Sequence, residues 1–471
     1  MARRFGAAPE RRPVRYWIFA ALACALGVEV ASVAQDESTT AQIRRADLAV
    51  LRNDYVEKSR AFSPDARRAA LEHIASLDVH AGELTPAQFL LGIARTTALA
   101  DNGHDSWHPD EGAWLPKRRA PLRLLWFPDA LVVARGAKQH EDLLGARVTA
   151  IDGHAIDEVF ERLRRLVGGP DNYRRWNLSL FLDRAELLHE LGLAASPAEW
   201  NLSLVLRNGA VTTRRIEMIP QIAAPQGTHL PRLFSQPPYG NESELGWLAA
   251  TASAKDPLYL QEPDRVFRTV KLPAIGALYL QLRSHLGTAD EPIEDFMRAA
   301  SARLGGRKPE HLIVDLRFDG GGNIDPTVAF FNGLAATVPG RIYVIVSRLT
   351  FSAGIVAAAL IEQSAGDRVV IVGEPVGDRL RFWSEGRTVC LPHTKYCVQV
   401  TDGLWDLERG CAQEPGCYGD AFRVKVRTLE PELAAVLTSE TWLAQTDPAM
   451  AAIESHLWNC KSCRPEPDDV D

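Results

Sequence analysis

Hydrophobic positions divide the chain into a helical first part, a mixed middle and a long alternation of strands and helices. Apolar residues recur at helical spacing over Arg44–Ala61 and over Leu84–Ala100, which predicts two amphipathic helices. Ser63-Pro64 places a hydroxyl before a proline, the pattern of a capped helix start. We therefore predict an N-terminal helical domain over residues 35–115.

The pattern changes after residue 120, where short apolar stretches separated by turns predict strands. The predicted strands are Leu122–Phe127, Ala130–Ala134, Ala146–Ile151, Trp176–Leu182 and Trp200–Leu206. A helical pattern over Ile156–Leu166 lies among them. These elements predict a second domain over residues 120–220. Residues 221–265 are rich in Pro, Gly and Ser and are predicted to be a connecting segment.

Strands and helices alternate regularly from Val270 onward. The predicted order is strand Ala274–Leu282, helix Pro292–Leu304, strand His311–Leu316, helix Asp325–Ala335, strand Arg341–Ser347, helix Ala353–Glu362 and strand Arg368–Gly373. Such repeats form right-handed crossovers on a mostly parallel sheet, so we predict an α/β core (α+β for the whole chain) over residues 266–458. Residues 459–471 are predicted to be a polar tail. Sites in such sheets lie at the carboxyl ends of the strands.

The first 34 residues have the three-part layout of a secretory signal peptide. Basic residues precede the apolar run Tyr16–Val28, and Ser32-Val33-Ala34 offers small residues for cleavage. The run is shorter than the roughly 20 residues that span a bilayer. An uncleaved anchor and a lipoprotein site at Cys24 are the alternatives. We predict export to the periplasm or the extracellular space, with a membrane tether only if the leader is retained.

Cysteine usage is consistent with export. Six of the seven cysteines lie near the C-terminus: Cys390, Cys397, Cys411, Cys417, Cys460 and Cys463. An even number in an exported chain predicts disulfides, with neighbouring residues as the simplest pairing. The spacing of the last two also fits a zinc site or a redox dithiol, but no second pair or thioredoxin-like context accompanies it.

Composition narrows the function. The chain has 471 residues, of which 46% are hydrophobic and 24% charged, so it can bury large cores. Its net charge of −7 argues against a non-specific nucleic-acid binder, which needs a positive field, and against docking on anionic lipid.

Two loops at the predicted sheet edge contain candidate chemistry. One holds Gly320-Gly321-Gly322, which let the backbone approach a ligand and turn its N–H groups toward an anion. The alternative is a flexible turn. The other holds Ser352 at the start of a helix, with the N–H of Ala353 beside it as a candidate oxyanion donor. The alternative is a plain N-cap serine.

A nucleophilic serine needs a base, and His104 is the best of the twelve histidines because a turn after a helix exposes it. A metal site with His108 and nearby aspartates is the alternative, although Gly103 and Pro109 disfavour the regular helix that it would need. A solvated surface histidine is the third interpretation.

The order of these motifs resembles the tail-specific, or C-terminal-processing, serine protease family. The resemblance rests on Asp-Asn-Gly-His at 101–104, Asp-Leu-Arg-Phe-Asp-Gly-Gly-Gly at 315–322, Thr-Phe-Ser-Ala at 350–353 and Val-Gly-Glu-Pro at 372–375. Residues 143–153 resemble the carboxyl half of the PDZ-like domain that many members carry. The resemblance covers nearly all of the chain after the leader.

The resemblance implies a crotonase- or ClpP-like mixed sheet core that follows a PDZ-like domain at residues 120–220. It implies a Ser352 nucleophile, an oxyanion site from Ala353 with Gly321 or Gly322, and peptide or protein substrates without metal or cofactor. Family members with a Ser–Lys dyad have a lysine near position 378, where this chain has Gly377-Asp378-Arg379. The chain thus resembles the histidine-dependent branch, with His104 as base. A catalytically inactive relative that binds a peptide or apolar ligand is the alternative.

Overall fold

The computed structural model describes residues 29–220, 234, 246–251, 256–306, 309–411, 417–418 and 424–460. The predicted leader and connecting segment lie mostly outside these residues, and the predicted tail almost entirely so. Among the described residues, helices and several sheets are interleaved along the chain, which confirms the predicted α/β class. No helix within the described ranges combines the length and apolar character needed to cross a bilayer.

The C-terminal half is built on one sheet, which we call the core sheet. Its strands, in spatial order, are Phe267–Leu272, Ala277–Leu282, His311–Asp315, Ile342–Val346, Val369–Gly373 and Leu433–Ala434. The first pair is antiparallel and all later pairs are parallel. The central strands are buried over their full length, as expected for a parallel sheet covered on both faces.

Helices cover both faces of the core sheet. The helices Ile293–Gly305, Asp325–Thr337 and Ala353–Ala365 share one apolar core with Leu312 and Val314. The helix Pro448–Asn459 packs with Ile313 on the other face. Alternate strand residues enter opposite cores because side chains alternate across a strand.

The middle of the chain forms a second sheet that shares a core with the N-terminal helices. Its strands are Leu122–Trp126, Leu131–Ala137, Arg147–Ile151, His154–Ala155, Glu199–Val205, Val211–Glu217 and Trp247–Ala249. The helices of this region are Glu29–Val50, Pro64–Val79, Pro86–Ala98, Ile156–Leu163, Asp171–Asn177, Ser179–Leu182 and Ala185–Glu190. The domain boundaries and the PDZ-like and crotonase-like descriptions stay predictions.

One predicted strand, Trp176–Leu182, is wrong. This stretch forms the end of the helix Asp171–Asn177 and the short helix Ser179–Leu182. Its buried residues Leu178, Phe181 and Leu182 are three and four positions apart, so helical spacing buries them on one side.

Three small sheets connect distant parts of the chain. The strands pair as Trp107–Pro109 with Tyr396–Val400 and then Arg387–Cys390, Arg381–Ser384 with Gly403–Asp406, and Arg118–Arg119 with Ile219–Pro220. The C-terminal region also contains the short helix Ser439–Leu443. The strand that follows the His104 turn is thereby attached to a hairpin nearly 300 residues later in the sequence.

Two disulfides have the neighbour pairing expected from the sequence, Cys390–Cys397 and Cys411–Cys417. The third expected pair needs Cys463, which lies outside the described residues. Asp110 lies close to Cys390 and Cys397, but these two sulfurs are joined to each other and are not thiolate ligands.

Candidate active site

Ser352 does not have the backbone of an ordinary helix cap. It precedes the helix Ala353–Ala365 with φ 53° and ψ −122°, and its hydroxyl makes no capping bond. Ser63 is the contrasting case, with φ −63°, ψ 160° and an Oγ that accepts the Ala66 N–H. A non-glycine residue in such a conformation costs about 1–3 kcal/mol. The capping interpretation of Ser352 therefore does not fit the structure.

Neighbouring backbone holds Ser352 in this conformation. The Phe351 N–H donates to the Asp319 carbonyl at 2.9 Å, and the Thr350 hydroxyl donates to the Leu316 carbonyl at 2.8 Å. Position 354 must be glycine, because a Cβ there would lie 2.6 Å from the Asp319 carbonyl oxygen. These contacts join the serine loop to the neighbouring glycine loop.

The glycine loop packs directly against the serine. A Cβ at Gly321 would lie 2.6 Å from the Ser352 Cβ and 3.1 Å from its Oγ, and φ at Gly321 is 104°. A Cβ at Gly322 would lie 2.4 Å from the His285 carbonyl carbon, with φ at 136°. A side chain at position 321 would push the loop away from the hydroxyl, and one at position 322 would push it away from His285, so both positions need glycine.

The N–H groups of the candidate oxyanion donors differ in whether they already donate a hydrogen bond. The Gly321 N–H donates to Asp319 Oδ1 at 3.0 Å, so it is already occupied. The Ala353 N–H is the first of its helix and has no acceptor within that helix. Gly322 pairs with His285 as an isolated parallel bridge, and the two hydrogen bonds of this bridge use the N–H of His285 and of Asn323. Ala353 and Gly322 therefore fit an oxyanion better than Gly321.

A buried pair supports the glycine loop from behind. His285 and Asp319 are fully buried, and His285 Nδ1 lies 2.7 Å from Asp319 Oδ2. The other Asp319 oxygen holds the Gly321 N–H. The sequence motifs did not indicate His285, because it lies in a loop 30 residues before the start of the Asp315 motif.

His104 lies beside the serine loop but is not hydrogen-bonded to Ser352. Its ring stacks on Phe351, with centroids 4.4 Å apart, and on Phe382, at 5.3 Å. Both ring nitrogens are buried and have no hydrogen-bond partner. Burial therefore lowers the pKa of His104 to about 3. The ring is neutral at ordinary pH, but the aromatic side chains shield it.

The turn that carries His104 is anchored by a buried polar cluster. Asp105 accepts hydrogen bonds from Ser59 at 2.7 Å, Thr401 at 2.6 Å and Asn102 at 2.8 Å. The Asn102 side chain also bridges to the backbone of Trp383 in both directions. The aspartate after the motif histidine thus fixes the turn, and its oxygens are used away from the imidazole.

Asp378 is a buried carboxyl next to the histidine turn, near the position where the tail-specific protease resemblance would place the lysine of a Ser–Lys dyad. A Cβ at Gly103 would lie 3.0 Å from Asp378 Oδ2. Burial raises the pKa of Asp378 to about 6. The sequence pattern alone did not predict that this carboxyl is buried.

The glutamate of the Val-Gly-Glu-Pro segment, Glu374, connects two loops of the core sheet. Glu374 Oε2 lies 2.6 Å from Arg348 Nη1, both buried, and Glu374 Oε1 accepts the Leu437 N–H at 2.8 Å. The pair ties the loop before Ser352 to the next strand of the core sheet.

Ser352 opens into a pocket of about 300 Å³. The lining residues are Gly322, Asn323, Ile324, Asp325, Ser352, Ala353, Val356, Phe382, Glu385, Trp405 and Tyr418. Ser352, Gly322 and Ala353 therefore border one space.

Comparisons with known proteins bear on the fold. No protein-family model and no curated protein sequence matches this chain. Mature CPAF in complex with lactacystin matches with a TM-score of 0.53 and 12% identity, over 93% of this chain and 99% of that chain. Another structure of mature CPAF matches with a TM-score of 0.51 and 11% identity, over 93% and 98%. The photosystem II D1 C-terminal processing protease matches with a TM-score of 0.35 and 14% identity, over 85% and 94%.

The chain is therefore an α/β protein with the fold of mature CPAF along nearly its whole length. At the level of the fold, this similarity confirms the resemblance to the tail-specific protease family that the order of the motifs indicated.

Proposed function

We propose that this chain is an exported serine peptidase of the tail-specific protease family, with Ser352 as nucleophile and His104 as base. The conformation of Ser352 is the observation that carries the proposal. The strained backbone leaves the Ser352 hydroxyl without a capping bond, next to two glycines and lining a pocket. This arrangement has no evident value for the stability of the fold. Strain of this kind concentrates at functional sites.

The reaction follows from the positions of these groups. Ser352 Oγ attacks the carbonyl carbon of a peptide in the pocket, and its proton passes to a nitrogen of neutral His104. The imidazolium then donates that proton to the leaving amine, which gives an acyl-serine and a free amino terminus. Water deprotonated by His104 hydrolyses the ester and returns the serine.

Charge develops on the former carbonyl oxygen during both steps. The N–H groups of Ala353 and Gly322 are the donors that support this charge, and the positive end of the helix Ala353–Ala365 adds to it. The loss of one such donor costs roughly 100- to 1,000-fold in turnover in serine proteases.

The base must move before the first proton transfer. His104 lies between Phe351 and Phe382 with neither nitrogen bonded, so the serine–histidine hydrogen bond has to form when the substrate enters. Phe382 also lines the pocket, so a ligand that displaces its ring would release the imidazole. Catalytic hydrogen bonds commonly tighten only in the substrate complex.

Export is supported by the two disulfides, which persist in oxidising compartments. The predicted leader would direct the chain there. The periplasm or the extracellular space follows as the place of action.

Peptide hydrolysis tests the proposal. The mature protein is incubated with a mixture of unstructured peptides, and new termini are identified by mass spectrometry. We expect cleavage by the wild type, a loss of about 1,000-fold or more in Ser352→Ala and in His104→Ala, and no effect of a metal chelator. Ser364→Ala, in the same helix, is the matched control and should cleave normally. Cleavage that survives in Ser352→Ala would refute the nucleophile.

The second candidate function is a binding protein without catalysis. The shielded His104, with its low pKa and unbonded nitrogens, is the observation that favours it. In that case peptides bind in the pocket and are recovered intact from the wild type. Peptide hydrolysis that depends on Ser352 excludes this alternative.

A further inference from the structure

The lining of the pocket beside Ser352 combines polar groups with four buried apolar side chains. Ile324, Val356, Phe382 and Trp405 are almost completely buried and line it. The rings of Phe382 and Trp405 are nearly parallel, with centroids 6.5 Å apart, and Tyr418 lies 5.5 Å from Trp405. Such walls accept the aliphatic or aromatic part of a long side chain.

The charges around this pocket have one sign. Glu385 and Asp325 are the only lining residues with a formal charge, and no lysine or arginine lines the pocket within the described part of the chain. Both residues are exposed to solvent as well as lining the pocket. Glu385 Oε1 lies 3.5 Å from the indole nitrogen of Trp405.

The two carboxylates act on one neighbouring group, the Tyr418 hydroxyl. Burial is the largest cause that raises the pKa of the Tyr418 hydroxyl, and the negative charges of Glu385 and Asp325 raise it further. Both carboxylates are therefore near enough to interact with that hydroxyl. The carboxylates come from two different elements, one from the start of the helix Asp325–Thr337 and one from the turn after the strand Arg381–Ser384.

We infer that this pocket selects a cationic side chain, arginine or lysine, next to the bond that is cleaved; this rests on the proposed function. The methylene stem packs between the aromatic rings, and the cationic head meets Glu385 and Asp325 at the opening. The faces of Trp405 and Tyr418 add cation–π attraction. An acidic side chain at the same place is repelled, and a neutral one gains only the apolar contact.

Substrate profiling tests the inference in the active protein. Peptides that differ only in one residue beside the cleaved bond carry Arg, Lys, Leu, Phe or Glu there. We expect kcat/KM for Arg and Lys to exceed that for Leu by about tenfold, with less preference at high salt. Glu385→Gln/Asp325→Asn should remove this preference, so that the ratio of kcat/KM for Arg to that for Leu falls to about one. Glu408→Gln, an exposed carboxylate outside the pocket, is the matched control.

A binding measurement separates the inference from the proposed function. In Ser352→Ala, calorimetry compares benzamidine, neutral benzamide and benzoate, which share a ring and differ in charge. We expect benzamidine to bind about tenfold tighter than benzamide, benzoate to bind weakest, and the order to vanish in the additional Glu385→Gln/Asp325→Asn background.

The two experiments give different results if one of the claims is wrong. If no cleavage depends on Ser352, the proposed function is refuted, and the calorimetry still tests whether the pocket prefers a cationic ligand. Cleavage with equal kcat/KM for Arg and Leu, or equal binding of benzamidine and benzamide, would overturn the inference. Glutamine and asparagine keep the size of the replaced side chains, and thermal unfolding checks that the double variant is folded.

Discussion

At the scale of single residues, the site is defined by two departures from ordinary behaviour. Ser352 has a backbone conformation that serine rarely adopts, and His104 has a pKa lowered to about 3, because burial penalises its charged form. The sequence motifs predicted both residues. The strain was not predictable, and the expectation that the turn exposes His104 was wrong, because its ring nitrogens are buried against Phe351 and Phe382 from distant parts of the chain.

The pKa of His104 predicts how stability depends on pH. The folded state keeps the imidazole neutral between about pH 6.5 and pH 3, while the unfolded chain takes up a proton, so this stabilisation is complete above pH 6.5 and is lost as pH falls. Between pH 6.5 and 4.5 the loss is on the order of 2 kcal/mol. Urea unfolding should show a smaller decrease over this range in His104→Gln than in the wild type.

Asp378 acts in the opposite direction. Burial raises its pKa to about 6, so its contribution to stability falls as pH rises from about 4 to 6. This effect is common to both proteins, so the difference between wild type and His104→Gln isolates the histidine. Equal pH dependence in the two proteins would contradict the buried, neutral imidazole.

At the scale of elements, the same five-residue sequence forms a helix at one place and a strand at another, so its secondary structure depends on tertiary contacts. The letters Trp-Asn-Leu-Ser-Leu occur at 176–180 and at 200–204. The first copy is helical and the second lies in the strand Glu199–Val205. The buried parallel strands were predictable because short apolar runs between turns and helical segments are typical of strands that are buried on both faces. The pairing of Trp107–Pro109 with Tyr396–Val400 was not, because strand partners far apart in sequence leave no local signal.

The hairpin that ends near Thr401 holds the histidine turn, and this predicts an effect at a distance. Thr401→Val removes the 2.6 Å hydrogen bond to buried Asp105, which should lower the free energy of unfolding by about 1–3 kcal/mol. A displaced turn should also lower kcat/KM by about tenfold or more, mainly through kcat.

The control for this prediction is Thr401→Ser, which keeps the hydroxyl and should restore most of the turnover. Peptide hydrolysis and urea unfolding are measured on both variants. Normal turnover in a destabilised Thr401→Val would show that the cluster serves the fold alone and does not position His104.

At the scale of the whole molecule, the alternation of strands and helices from Ala277 to Gly373 was predicted correctly, but the two edge strands Phe267–Leu272 and Leu433–Ala434 were not predicted. The fold matches that of mature CPAF over nearly all of the chain. The alternation of elements leaves few topologies for such a sheet. The sequence also placed the serine and glycine loops at one edge of the sheet. It did not predict the pocket, because Glu385, Trp405 and Tyr418 come from the segment between the last two strands of the core sheet, which lies outside that sheet.

The central claim is that Ser352 is an activated nucleophile with His104 as its base. A small fluorophosphonate, followed by peptide mass mapping, tests it most directly on the folded mature protein. We predict one adduct on Ser352, formed equally in Ser364→Ala and lost in His104→Ala. A folded wild type without an adduct on Ser352, or an adduct formed equally fast without His104, would contradict the claim.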